Sequence, residues 1–340
     1  MDAKITKKRL GHMLSYDWIK IVALVAALIV GWWFIFSATS TKITPAQEFT
    51  IFNYTGTYSG ERYSALVQGV QKDDVFSYDI LKVNAFDVTG GKAETETVLS
   101  TRLQTDEGDI LFAANTTEGV DEETMKYPTD TDETYTPTYL QQFLTTHYYA
   151  AAELADSETG LIARMNAYLS PFFVGGLTED APVDESAVKT AFHKRIKKLN
   201  DKRFKTDKQK AKGLRQEIER IEKLRESYFA FLDYLDRGVI RLEETSYYLR
   251  YYDGKVVKRT GAFAVNLSPD KENETLKNVA YYYKTETDDD GFTHSVKSTE
   301  NMCVVLLDVV GEKYDYSVYE TVSFLCYLVE HYVEEKPAQN

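Results

Sequence analysis

EFTIFNY (Glu48–Tyr54), VFSYDILKVNAFDV (Val75–Val88) and DILFAA (Asp109–Ala114) are three runs rich in β-branched and aromatic residues. The first two alternate like half-buried strands. Asp109–Ala114 is a compact apolar run of the kind found in a sheet covered on both faces. Between them lie RYSALVQGV (Arg62–Val70) and AETETVLSTRL (Ala93–Leu103), the latter with Val98, Leu99 and Leu103 on one helical face. Gly56 and Gly60 punctuate the first connection, and Gly90-Gly91 ends the second strand. Strand, helix, strand, helix, strand in succession predicts an α/β fold built on parallel strands.

Upstream, Ile21–Thr41 reads IVALVAALIVGWWFIFSATST, 21 residues without a charge. At about 1.5 Å per residue this spans roughly 31 Å, the thickness of a bilayer core. Lys4, Lys7, Lys8, Arg9 and Lys20 precede it, and Lys42 and Glu48 are the first charges after it. That asymmetry predicts a cytoplasmic tail (1–17), a transmembrane anchor (18–41), a linker (42–47) and an extracytoplasmic domain (48–335) in the cell membrane. Trp18 and Tyr16 at one end, with Trp32 and Trp33 at the other, favour a resident single-pass span. A cleaved signal is the alternative, with Ala38-Thr39-Ser40 as its cleavage site.

Downstream, residues 116–136 are acidic, Thr-rich and turn-like, and a helix starts at Pro137 after Thr136. Ile162–Leu169 and the highly charged Ala187–Leu235 are also helical in pattern. Strand-like runs return at Val239–Leu242, Tyr247–Tyr252, Lys255–Leu267, Val279–Lys284 and Met302–Val309. A closing helix starts near Val318, with Ser317 and Glu320 spaced as a capping box.

The chain of 340 residues carries a net charge of −13. Its acidic balance argues against nucleic acid as the main partner, because phosphate binding needs Lys and Arg. Cys303 and Cys326 are the only cysteines. They make no disulfide framework, and two buried thiols or one bridge both fit. The three Trp lie in or beside the apolar run, whereas 24 of the 25 Tyr follow it.

No Gly-x-Ser-x-Gly elbow, phosphate-cradling Gly-Lys-Ser/Thr loop or dinucleotide fingerprint occurs, and no His pair has the helix spacing zinc needs. Glu286-x-Asp288-x-Asp290-Gly291 resembles the front of a calcium loop, but Lys297 stands where a bidentate Glu is required, so an acidic hairpin tip is expected. No catalysis, metal or cofactor is therefore expected. Residues 186–226 hold 15 Lys/Arg against 6 Asp/Glu, so the remainder of the chain carries −22. Within this stretch Lys194, Arg195, Lys197, Lys198, Lys202 and Arg203 form a candidate partner- or surface-binding cluster, with a solvated helical face as the plainer alternative.

The strand–helix order ending in Leu103-Gln-Thr-Asp-Glu-Gly108-Asp109-Ile-Leu-Phe resembles the first lobe of type 2 solute-binding proteins of ABC transporters. In that family a short Gly/Asp turn leads into an apolar strand. Gly261–Ser268 (GAFAVNLS), Met302–Val309 and the closing helix extend the likeness over about residues 48–335. The chain departs from the family in lacking a lipobox cysteine and an outer Trp. The resemblance implies two lobes, a first of about 48–136 and a second mostly of 137–267 with crossovers, and a ligand between them. Asn53, Tyr54, Thr55, Asn115 and Thr116 would then be ligand-binding residues at the C-terminal ends of the parallel strands. It further implies a carbohydrate or other polar solute and transporter membrane subunits as partners. A second reading is a non-catalytic scaffold or sensor subunit that contacts a membrane partner.

Overall fold

The computed structural model describes residues 7–39, 43, 47–87, 92–123, 125–131, 133–309 and 316–334. It comprises two units, residues 1–43 and residues 44–340. The first contains helix α1 (Lys7–Thr39). Its stretch Trp18–Ser37 is apolar and unburied, long enough to cross a membrane as an anchor and equally compatible with a signal sequence.

The second unit opens with β1 (Glu48–Asn53), β2 (Tyr58–Ser59), α2 (Tyr63–Lys72), β3 (Lys82–Asp87), α3 (Lys92–Gln104) and β4 (Ile110–Ala114). It continues through β5 (Tyr127–Pro128), β6 (Thr134–Tyr135), α4 (Tyr139–His147), α5 (Leu161–Leu169), α6 (Glu185–Leu199) and α7 (Asp207–Asp236). The remaining elements are β7 (Arg241–Arg250), β8 (Val256–Asn266), β9 (Ala280–Thr287), β10 (Thr293–Ser298), β11 (Met302–Leu306) and α8 (Ser317–Leu328). Six strands form one mixed sheet in the order β3-β1-β4-β11-β8-β7, and β10-β9-β2 form a smaller one.

The N-terminal half of the large sheet follows the expected α/β logic. β1 pairs in parallel with β3 on one side and β4 on the other, so the chain reverses its direction of progress across the sheet at β1. Alternation along β1 serves both faces. Phe49 meets Phe324 of α8 at 5.3 Å between ring centres on one face. Phe52, on the other, lies close to Leu103 of α3 beneath Gly108. Gly108 adopts φ +141°, and a Cβ there would press on Leu307, Phe52 and Leu103 at 3.0–3.1 Å, so the turn into β4 needs glycine. With both faces covered, β4 and β11 are buried along their whole length.

Beyond β4 the sheet turns antiparallel. β11 pairs with β4 and with β8, and β8 with β7. The strands assigned by resemblance to a second lobe therefore extend the same sheet as the first, and residues 44–340 make one compact unit. Several local expectations also shift. Of Val75–Val88, only Lys82–Asp87 is strand. The residues before it turn, with Ser77 and Asp79 buried, and the Leu81 amide donates to the Gln47 carbonyl. α4 starts two residues later than Pro137, at Tyr139, after a capping box made by Thr138 and Gln141. The box expected at Ser317–Glu320 does not form. Glu320 is buried and accepts from the Ser77 amide at 3.2 Å instead. Cys303 and Cys326 are both free thiols.

Candidate functional site

α3 and α4 both lie over the face of β1 that carries Phe52, and each turns a polar row toward the gap between them. On α3 the rows are Glu96–Ser100–Gln104 and Thr97–Thr101, spaced i, i+4; on α4 the pair is Gln142 and Thr146. Leu99 and Leu103 take the buried side of α3, while Val98, expected beside them, is 42% exposed. Tyr54, just after β1, forms the floor, and Tyr127 from the small β5–β6 hairpin closes one side. The result is an open cleft of about 480 Å³. It lies outside the carboxyl end of β1, where the winding direction reverses, and open α/β sheets carry ligands at such a switch point.

A hydrogen-bonded group borders the cleft. The Tyr54 hydroxyl donates to Glu96 Oε1 at 2.5 Å, and His147 Nε2 meets Glu96 Oε2 at 2.8 Å. Burial, and then the Glu96 charge, push the Tyr54 phenol well above its ordinary value, so it stays a donor. His147 is almost fully buried and its Nδ1 finds no partner among the described residues; neither does Gln142 Oε1. Two orphaned buried polar atoms beside a hydroxyl-lined cleft represent hydrogen-bonding capacity that the protein itself does not use. Among the described residues His147 pairs with Glu96 rather than with a serine, threonine or cysteine.

Of the residues expected at the strand ends, Tyr54 lines the cleft. Asn53 is buried and donates to Ser59 Oγ at 2.7 Å. The Thr55 hydroxyl is buried without a partner among the described residues and does not line the cleft. Asn115 donates to Glu243 Oε1 at 2.7 Å, and Glu243 Oε2 in turn accepts from Asn266 at 3.0 Å, a polar clamp across the end of the sheet. The Thr116 hydroxyl accepts from the Glu118 amide in a turn. Glu96, Gln142, His147 and Tyr127 were not anticipated. The polar i, i+4 rows of α3 were the readable signal.

The basic cluster divides. Lys194, Lys197, Lys198 and Lys202 are exposed. Arg195 and Arg203 are not surface groups but members of a half-buried network at the opposite end of the parallel strands. Arg195 holds Glu217 at 2.8 Å, and Arg203 holds Asp79 at 2.8 Å and Asp201 at 2.7 Å. The almost fully buried Arg220 donates to Glu217 at 2.6 Å and to the Tyr168 hydroxyl at 2.6 Å. Burial works to raise the Glu217 carboxyl, but Arg220 and Arg195 outweigh it and hold the group at about 2. At the calcium-like segment the β9–β10 hairpin closes on itself, Asp288 accepting from the Asp290 and Phe292 amides. Among the described residues no cluster of His, Cys, Asp and Glu is arranged to hold a metal.

No family model, curated protein or solved structure matches the chain.

Proposed function

We propose that the chain is a membrane-tethered, non-catalytic binding module that takes a small polar solute, a sugar or comparable polyhydroxylated molecule, in the Tyr54–Glu96–Gln142 cleft. The observation that carries this reading is the cleft's position and lining together: a carboxyl-end switch point walled by hydroxyl and amide groups, with Gln142 Oε1 left without a partner among the described residues. Hydroxyl-rich solutes offer the donors and acceptors such a lining needs, and Tyr127 offers a ring face. Delivery to an ABC transporter is the use that the family resemblance suggests. One continuous six-stranded sheet favours the other use, a sensor or scaffold subunit whose occupancy is read by a membrane partner.

The test is thermal unfolding of the full-length chain in detergent, followed by circular dichroism against sugars, amino acids and short peptides. A ligand at about 100 times its Kd adds roughly 2.7 kcal/mol, a midpoint shift of a few degrees. Ser100→Trp, which fills the cleft, is expected to abolish the shift; Val98→Trp, on the exposed side of the same helix, is expected to keep it. A shift that survives Ser100→Trp would place binding elsewhere.

A further inference from the structure

We infer that the α6–α7 hairpin is a docking surface for an anionic lipid bilayer. Of the hairpin's five arginines, four turn inward and Arg215 alone is exposed; of its lysines, Lys223 pairs with Asp74 and Lys210 with Asp207. Arg195, Arg203 and Arg220 turn inward onto carboxylates, and Arg225 donates to the Ala181 carbonyl at 2.7 Å. Lys194, Lys197, Lys198, Lys202, Lys205 and Lys208 turn outward, exposed and without an ion pair among the described residues. The two acids interspersed with them are already engaged, Asp201 by Arg203 and Asp207 by Lys210. Planar guanidinium suits the buried bidentate pairs, whereas the strongly hydrated ammonium suits a wet surface. The outer face is thus left with uncompensated positive charge on a chain that is otherwise strongly acidic.

One apolar group narrows the choice of partner. Leu199, 46% exposed, ends α6 between Lys198 and Lys202. A leucine set among lysines fits the headgroup boundary, where ammonium groups meet phosphates and the side chain reaches the first methylenes. A soluble polyanion offers nothing apolar to Leu199. The acidic remainder of the chain is repelled by the same surface, so approach selects the hairpin face. The inference rests on α1 being retained as an anchor, which keeps the lysines at high effective concentration beside a bilayer.

The experiment uses full-length chain in nanodiscs of neutral phosphatidylcholine or of phosphatidylcholine with about one-third phosphatidylglycerol, lipids chosen for their surface charge. Amine acetylation is read lysine by lysine by mass spectrometry. Acetylation of Lys197, Lys198 and Lys202 is expected to fall several-fold in anionic discs and to recover in about 0.5 M salt, where charge is screened within a few ångströms. Lys255, exposed in the β7–β8 turn, should label equally in both. In the variant Lys197→Glu/Lys198→Glu/Lys202→Glu, protection of Lys194 and Lys205 should disappear, each lysine near an anionic surface being worth about fivefold in partition. Equal labelling in the two lipids overturns the inference, as does protection that appears only on adding soluble polyphosphate, which would assign the face to a polymer. The intact mass reads the anchor separately. A mature chain lacking residues 1–40 is tested on vesicles of the same lipids, with the same expectation.

Discussion

At the scale of single residues, the decisive contrast is between two buried carboxylates in one neighbourhood. Glu217 is gripped by Arg195 and Arg220, which hold it at about 2 against an ordinary value of 4.5. Glu320 accepts from the Ser77 amide, and burial pushes its carboxyl up. Glu217→Gln is expected to destabilise the domain by about 3–5 kcal/mol in urea unfolding at neutral pH, because the guanidinium groups lose their charge partner in a dry site. The folded value of Glu217 lies below the unfolded one, so its contribution is complete above about 4.5 and is lost as pH falls toward about 2. The gap between variant and wild type should therefore close over that window, and a gap that stays constant would mean Glu217 acts through packing rather than charge. Glu320 has the opposite sign. Its folded value is raised, so its proton-linked stability is present at low pH and is lost as pH rises through the folded value. Glu320→Gln should then gain on wild type as pH increases, while keeping an acceptor for the Ser77 amide.

At the scale of elements, local signals succeeded where the determinants are local. The α3 helix, β4 and the Asp288–Gly291 hairpin all lie where periodicity and turn residues indicate. Failures occurred where a distant partner decides. Val75–Ile80 has strand-like composition, yet Asp79 is drawn to Arg203 and Tyr316, which pulls the segment out of the sheet. Ser317 and Glu320 have capping spacing, but Ser77, 243 positions away, supplies the donor that Glu320 takes. α7 shows the same dependence and allows a test. Gly213 sits in a helix interior, where alanine ordinarily adds about 1 kcal/mol. Here a Cβ would stand 2.4 Å from Phe204 Cε1 and 2.7 Å from Phe192 Cζ. Gly213→Ala is expected to cost about 1–3 kcal/mol through overpacking. Phe204→Leu in the same background should recover part of that loss. A stabilising Gly213→Ala would show that the α6–α7 contact yields easily.

At the scale of the whole molecule, the parallel strands are legible in the sequence, but the candidate cleft is only partly so. Tyr54 followed from the carboxyl-end rule, whereas Glu96, Gln142 and His147 converge from two helices whose facing rows only the fold brings together. The same limit applies to the strand order of the large sheet. Nothing local in β11 or β8 tells that they join β4's sheet rather than build a second one. The division at residue 43 is different, because composition alone marks it. Among the described residues the buried side chains begin at Gln47, and Trp18–Ser37 is wholly unburied. A domain with an intact core of its own does not need α1 to fold. The fragment Thr44–Asn340 is therefore expected to unfold cooperatively, with a midpoint within about 2 °C of the full chain in the same detergent, since even 1 kcal/mol moves a domain of this size by a few degrees. A fragment that melts much lower would mean that α1 packs on the domain and stabilises it. A matched midpoint would mean that the domain's stability is its own.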